Sequence, residues 1–302
     1  LVLHRFQLEI LKFRYENHHA VGLFQFKKGI RNSFMMTSKF AYEEPKQALS
    51  SRISAHSKYS NFNLHKWIKE HFKIQPKDRI LDLGCGDGNF TALFREMVGE
   101  EGVIFGLDKS GQLIEEAKTR YSSILSDRVK FWVHDFDEPF SKEIKNFQWI
   151  FAIYALYYTE NSQKILETIK DQLSSKGRFV VIGPGPQNAQ DLSEFNFQLT
   201  GKKPKREYNE RIVRISKEFR PLFEKIFGKE NVEYEEIDSV MAFPTAESYR
   251  EYYQSTLLWR ESIEGRSLAE VKKLQQEIIT KVSQSLPAHI NKQMCCLVGR
   301  RD

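Results

Sequence analysis

The sequence predicts an α/β protein with one mostly parallel sheet of seven strands, helices on both of its faces, and helical additions beyond its core. Three observations carry that reading. Short apolar runs near 79–83, 103–107, 129–133, 149–154 and 178–182 are separated, for the most part, by helical patterns of about ten residues. The first of these runs leads directly into Gly84, Gly86 and Gly88. The longest apolar run, residues 149–158, has the length of a buried strand with its exit turn and is too short to span a bilayer.

The elements follow in order. Residues 45–72 carry Leu49, Ile53, Leu64, Trp67, Ile68 and Phe72 at helical spacing, and 73–77, with Pro76, read as a linker. A strand at 79–83 precedes a helix at 89–97, and a strand at 103–107 precedes a helix at 111–120. Strands at 129–133 and 149–154 follow, then a helix at 163–173 closed by Gly177 and a strand at 178–182. Strands alternating with helices of this length require parallel crossovers and a sheet covered on both faces. The alternation stops at Gly183-Pro184-Gly185-Pro186. A polar, helical stretch to about 228 contains a basic loop, Lys202, Lys203, Lys205 and Arg206. A sixth strand is expected at 232–237, helices at 245–259 and 268–285, and a final antiparallel strand at 292–299.

Residues 1–44 read as an N-terminal extension outside the fold, and 45–302 as a single domain. Within it, 77–185 form the core, 184–228 an insertion and 229–302 the closing strands and helices. The first methionines are Met35 and Met36, so the expected biological start lies near Met35. An arginine-rich targeting segment is the alternative, and Glu9 and Glu16 weigh against it.

Composition excludes several classes. Hydrophobic residues make up 40% and charged residues 28%, with a mean hydropathy of −0.52, which excludes disordered and transmembrane-helix readings. The three cysteines, Cys85, Cys295 and Cys296, lack metal-ligand spacing and suit a reducing cytoplasm. The formal net charge is +6, but residues 1–34 hold six basic and two acidic residues, leaving only +2 elsewhere. Nucleic acid is therefore not the expected partner.

The informative stretch is Ile80-Leu81-Asp82-Leu83-Gly84-Cys85-Gly86-Asp87-Gly88. Glycines at a strand end let the chain turn sharply and let a ligand lie on bare backbone. The dinucleotide pattern GxGxxG would need glycine at 89, where Asn89 stands. Asp82 ahead of the turn would repel a diphosphate and attract a ligand bearing an ammonium and a sulfonium. Asp108 ends the second strand, where a carboxylate accepts ribose hydroxyls, and Asp135 follows the third, beside Phe136, where adenine would sit. Three acids at three successive strand ends describe a pocket for an adenosine with a cationic tail.

On these residues the sequence resembles the class I S-adenosylmethionine-dependent methyltransferases, closely over 77–185 and loosely over 45–300. The resemblance rests on Leu81-Asp82-Leu83-Gly84-Cys85-Gly86-Asp87-Gly88, on Gly106-Leu107-Asp108-Lys109-Ser110, on His134-Asp135-Phe136, and on Leu173-Ser174-Ser175-Lys176-Gly177-Arg178. It implies a Rossmann-like fold, S-adenosylmethionine as cofactor and S-adenosylhomocysteine as product. It further implies that Gly84, Cys85 and Gly86 approach the methionine part, with Asp82 near its amino group. Asp108 would hold the ribose, with Lys109 bordering adenine, and Asp135 and Phe136 would recognise the base. Tyr154 would reach the sulfonium and Tyr59 would close the pocket, while Tyr157, Tyr158 and Tyr253 would line the acceptor. The sequence departs from the family at Phe147-Gln148-Trp149-Ile150, where an aspartate often stands in place of Gln148.

The expected reaction is in-line methyl transfer to a small organic acceptor, under a cover formed by 46–72, 184–228 and 244–265. The sequence singles out no general base and no metal-binding cluster. RNA or protein methylation is a rival motivated by the basic loop, and a non-catalytic cofactor-binding module is one motivated by Gln148. Cys85 reads as a small residue rather than a nucleophile, and Cys295 and Cys296 as strand residues. His56 and His65 are expected on solvent-facing helix positions, His134 on the surface, and the aromatic row at 249–259 in core packing.

Overall fold

The computed structural model describes residues 46–302, so the extension expected at 1–44 lies outside the described residues. Helices α1 (Lys46–Tyr59) and α2 (Leu64–His71) come first. The core follows as β1 (Arg79–Leu83), α3 (Asn89–Val98), β2 (Val103–Asp108), α4 (Gly111–Arg120), β3 (Val129–Val133), β4 (Phe147–Ile153), α5 (Ser162–Gln172) and β5 (Leu173–Pro184). Then come α6 (Gln190–Thr200), α7 (Arg206–Arg214), a π-helical turn at Ile215–Phe219, and α8 (Arg220–Phe227). The chain closes with β6 (Val232–Phe243), α9 (Ala246–Gln254), α10 (Leu257–Ile263), α11 (Leu268–Val282) and β7 (Ala288–Arg300).

The seven strands form one sheet in the order β3-β2-β1-β4-β5-β7-β6. The pairs from β3 to β5 are parallel, and β7 runs antiparallel to both neighbours, as expected. Alternating side chains divide the sheet into two apolar faces. Leu81, Leu83, Phe105, Leu107, Ile150 and Phe179 pack with α5 and α8 on one side. Ile80, Ile104, Trp149, Phe151 and Val180 pack with α2 and α3 on the other. Each such fully buried side chain contributes about 1.5–3 kcal/mol. A third cluster packs against the paired far ends of β6 and β7, where Phe243, Tyr249, Tyr252, Tyr253, Leu258, Trp259 and Ile278 are buried together.

Several elements differ from expectation for local reasons. The single helical stretch expected at 45–72 is two helices. Ser60 bridges to Met241, and the Asn63 side chain then accepts the Lys66 N–H at 2.9 Å and starts α2. The helix expected at 245–259 breaks at Ser255, and Thr256 caps the start of α10. Strands β6 and β7 extend well past the expected ends because they pair with each other over twelve positions, from Val232↔Gly299 to Phe243↔Ala288. Partner strands satisfy backbone groups that periodicity alone leaves unassigned.

Candidate functional site

The site begins where β1 ends. The Gly84 and Cys85 N–H groups both donate to the Leu107 carbonyl, at 2.7 and 2.9 Å, which stitches the turn to β2. Gly84 and Gly88 take φ of 74° and 83°, in the left-handed region. A Cβ at Gly84 would also overlap the Ala155 methyl, and one at Gly88 would come within 2.8 Å of Phe131. A Cβ built at Gly86, by contrast, would meet nothing within 4 Å, so the backbone there faces open space. The turn packs against protein on two sides and is open on the third.

Asp108 organises this turn. One carboxylate oxygen accepts the Gly86 N–H at 2.9 Å and the other the Ser110 N–H at 2.8 Å. A carboxylate offers about four acceptor positions, so both oxygens retain capacity for ligand hydroxyls. Burial raises the Asp108 carboxyl, against the pull of those backbone N–H groups and of Lys109. Lys109 itself is exposed at the rim.

Asp82 is 1% exposed and accepts the Thr91 hydroxyl at 2.6 Å. Burial pushes its carboxyl up to about 7, the Thr91 hydrogen bond opposes this, and the Asp108 charge adds to it. Among the described residues no cation pairs with it. Cys85 lies among the same acids, and burial and those charges hold its thiol well above its usual range. The thiol therefore stays protonated, in keeping with a small packing residue rather than a nucleophile.

Asp135 and Phe136 are half-buried after β3, and one Asp135 oxygen accepts the Asp137 N–H at 3.1 Å. The ring of Phe136 lies 4.0 Å from the position a Gly84 Cβ would take, so it borders the turn. The neighbouring His134 is half-buried, with its ring 5.2 Å from Phe140. Tyr154 follows β4 directly, at φ 53° and 44% exposed, with its N–H on the Ile182 carbonyl at 2.7 Å. A left-handed tyrosine is strained, and it stands at the carboxyl edge of the sheet.

The strand ends thus gather Asp82, Gly84, Cys85, Gly86, Asp108, Lys109, Asp135, Phe136 and Tyr154. Tyr157 and Tyr158 lie on the same exit segment, with rings 4.7 Å apart. The ring of Tyr59 lies 4.9 Å from Phe243 in the third cluster. Tyr253 is fully buried there, and its hydroxyl bonds to Asn196.

Sequence reasoning missed Arg214. This buried guanidinium donates to the Tyr157 and Thr159 carbonyls at 2.8 and 2.7 Å, to Ser162 at 2.9 Å and to Glu218 at 2.7 Å. It fastens the exit segment of β4 to the helical insertion. The histidines expected on solvent-facing positions turn inward. His56 packs its ring 6.0 Å from Tyr252, and burial with nearby Lys292 and Arg52 pushes it down to about 3. His65 sits 3.0 Å from the Asn89 amide, and burial lowers it too. Gln148 accepts the Arg79 N–H at 2.9 Å at the amino-terminal edge of the sheet, the edge opposite the glycine turn.

Residues 74–226 match the methyltransferase-domain family. The chain belongs to that family. It is of the class I S-adenosylmethionine-dependent type that the glycine turn resembles, and its sheet has the expected architecture. The chain is 36% identical over 76 residues to a 2-phytyl-1,4-naphthoquinone methyltransferase of Synechococcus elongatus, a match covering 24% of this chain and 33% of that protein. It thus spans about a third of the length of that curated relative. A demethylmenaquinone methyltransferase of Bacillus mycoides is 22% identical over 66% of this chain and 78% of its own length. In fold, the chain is similar to the YcgJ protein of Bacillus subtilis, with a TM-score of 0.50 and 14% identity, over 78% of this chain and 97% of that one. Among the described residues no helix is long and apolar enough to cross a membrane.

Proposed function

We propose that this chain binds S-adenosylmethionine at the carboxyl ends of β1–β3 and catalyses transfer of its methyl group to a small organic acceptor. The observation that carries the reading is Asp82, a buried carboxylate without a cationic partner, beside a glycine turn that Asp108 holds open. A cationic ligand supplies the missing charge. Asp82 would face the ammonium, and Gly84, Cys85 and Gly86 would bed the methionine part. Asp108 would take the ribose hydroxyls, with Lys109 at the rim. Asp135 and Phe136 would receive adenine, and Tyr154, Tyr157 and Tyr158 would border the methyl and its acceptor.

When bound, the cofactor supplies a sulfonium methyl, so an acceptor lone pair forms the new bond while the carbon–sulfur pair returns to sulfur, leaving S-adenosylhomocysteine. The protein's own part is to exclude water and hold the acceptor in line. Tyr154 is placed for this at the end of β4 by its N–H on the Ile182 carbonyl, and Arg214 bonds to the segment that follows it. Neither needs to accept a proton.

Two observations favour a small acceptor over RNA or protein. Lys202 donates to the Glu261 and Glu264 carbonyls, Lys205 pairs with Glu264 at 3.3 Å, and Arg206 with Glu210 at 2.6 Å. Three of the loop's four basic residues therefore have internal polar partners. The naphthoquinone and menaquinone relatives also act on small molecules, as their names state. The position of Gln148, at the edge away from the site, removes its weight for a non-catalytic module. Residues 45–302 would act as one domain, and three free, buried cysteines suit the cytoplasm.

The test is calorimetric titration of the full chain with S-adenosylhomocysteine, with NAD as control. Micromolar binding of the first and none of the second is expected. Binding of NAD, or of neither, overturns the assignment.

A further inference from the structure

Positive charge that the cofactor reading leaves unused converges beyond the sheet. Lys292 precedes Met294 by two residues on β7, and Met294 pairs with Pro184 at the end of β5, so Lys292 stands past the carboxyl edge of the parallel strands. Its Nζ donates to the Tyr252 hydroxyl at 3.4 Å. Arg52 of α1 donates to the Ser255 carbonyl at 2.7 Å, three residues beyond Tyr252. Arg211 of α7 holds its guanidinium 5.0 Å over the Tyr158 ring, and its buried Nε has no hydrogen-bond partner. The Tyr208 phenol lies within electrostatic reach of Arg52, Arg211 and Tyr252 together. Tyr252 acts in the same way on Tyr154, which ties the cluster to the end of β4.

Arg52, Arg211 and Lys292, from α1, α7 and β7, thus converge on Tyr208, Tyr252 and the exit of β4. Two acids face this cluster, and both have other partners. Asp191 accepts the Leu192 and Asn291 N–H groups at 2.8 and 2.7 Å, and Glu261 accepts the Lys205 N–H at 3.4 Å. Burial, with Arg52 acting in the same sense and Asp191 against it, lowers Lys292 to about 8. Gathering like charges away from water is costly, and a bound anion offsets that cost.

We propose that the acceptor is an organic anion, whose carboxylate or phosphate is held by Lys292 and Arg211 while its nucleophilic atom faces Tyr154. Arg211 offers a planar fork and Lys292 a point charge, a combination suited to a single anionic head group. The inference rests on the methyl-transfer reading above and narrows its substrate class.

The experiment titrates the full chain, saturated with S-adenosylhomocysteine, with benzoate, succinate and inorganic phosphate, and with benzamide and succinamide as uncharged counterparts. At least one anion is expected to bind, with any matching amide at least tenfold weaker. Lys292→Met and Arg211→Met should each weaken that anion at least fivefold while S-adenosylhomocysteine affinity is unchanged. Preference for phosphate or for carboxylate identifies the head group. Amides binding as well as acids, no anion binding at all, or variants that leave anion affinity unmoved would overturn the proposal. Failure of S-adenosylhomocysteine itself to bind would instead sink the methyl-transfer reading beneath it.

Discussion

The strand-end turn and the cover beyond it are built on opposite principles. In the turn, Gly84, Gly86 and Asp108 are held by backbone groups, chiefly the Leu107 carbonyl and the Gly86 and Ser110 N–H groups, and Asp82 by the nearby Thr91 hydroxyl. In the cover, every key contact joins segments distant in sequence: Arg52 with Ser255, Lys292 with Tyr252, Arg214 with Tyr157. A site made of backbone hydrogen bonds can keep its geometry while the rest of the chain varies. A site made of remote side chains changes its specificity with few substitutions, because each contact depends on one pair of residues.

That contrast can be broken by experiment. The largest effect is expected from Arg214→Met, which leaves the Tyr157 and Thr159 carbonyls and Glu218 without their common donor. A loss of about 3–5 kcal/mol is expected in urea unfolding. Below its melting transition the variant should still bind S-adenosylhomocysteine, and loss of that binding would mean the two regions are not separable.

Gly84→Ala should cost about 3 kcal/mol, because a left-handed alanine is strained and its methyl overlaps Ala155. Here S-adenosylhomocysteine binding should be lost with the turn. Asp108→Asn should weaken S-adenosylhomocysteine about 10- to 100-fold with little change in melting temperature, since the amide oxygen can still accept one backbone N–H.

The pH dependence is smaller and has a definite sign. The Asp82 carboxyl titrates near 7 in the cofactor-free protein, against 3.8 unperturbed. A cationic ligand needs it ionised, so S-adenosylhomocysteine affinity should fall by up to about tenfold per unit as pH drops below 7. Asp82→Asn should flatten that profile. For the empty protein the sense reverses. Its raised carboxyl contributes stability that is complete below about pH 4 and lost as pH rises through 7, which thermal melts across that range would detect. The smallest effect is reserved for Gln148→Met, less than about threefold on cofactor affinity, because Gln148 caps Arg79 at the far edge.

Much of the turn was legible in the sequence. Asp82, the three glycines, Asp108 and Asp135 stand at fixed distances from strand ends, and strand ends follow from short-range apolar patterning. The orientation of His56 was not legible, because a polar residue on a weakly amphipathic helix reads as solvent-facing until Tyr252 and Lys292 are brought against it. Arg214 looked like one more charge on a polar helix, and only the packing of that helix against the exit of β4 buried it. The aromatic row at 249–259 was expected in core packing, and Tyr249, Tyr252, Tyr253 and Trp259 are all buried.

The sequence by itself therefore determined the parallel sheet and the acids at its strand ends, since both follow from hydrophobic period and local turn geometry. Only the tertiary structure decided which charges meet above those strands. Arg52, Arg211 and Lys292 lie on α1, α7 and β7, and how elements so far apart in the chain pack is encoded by no local pattern.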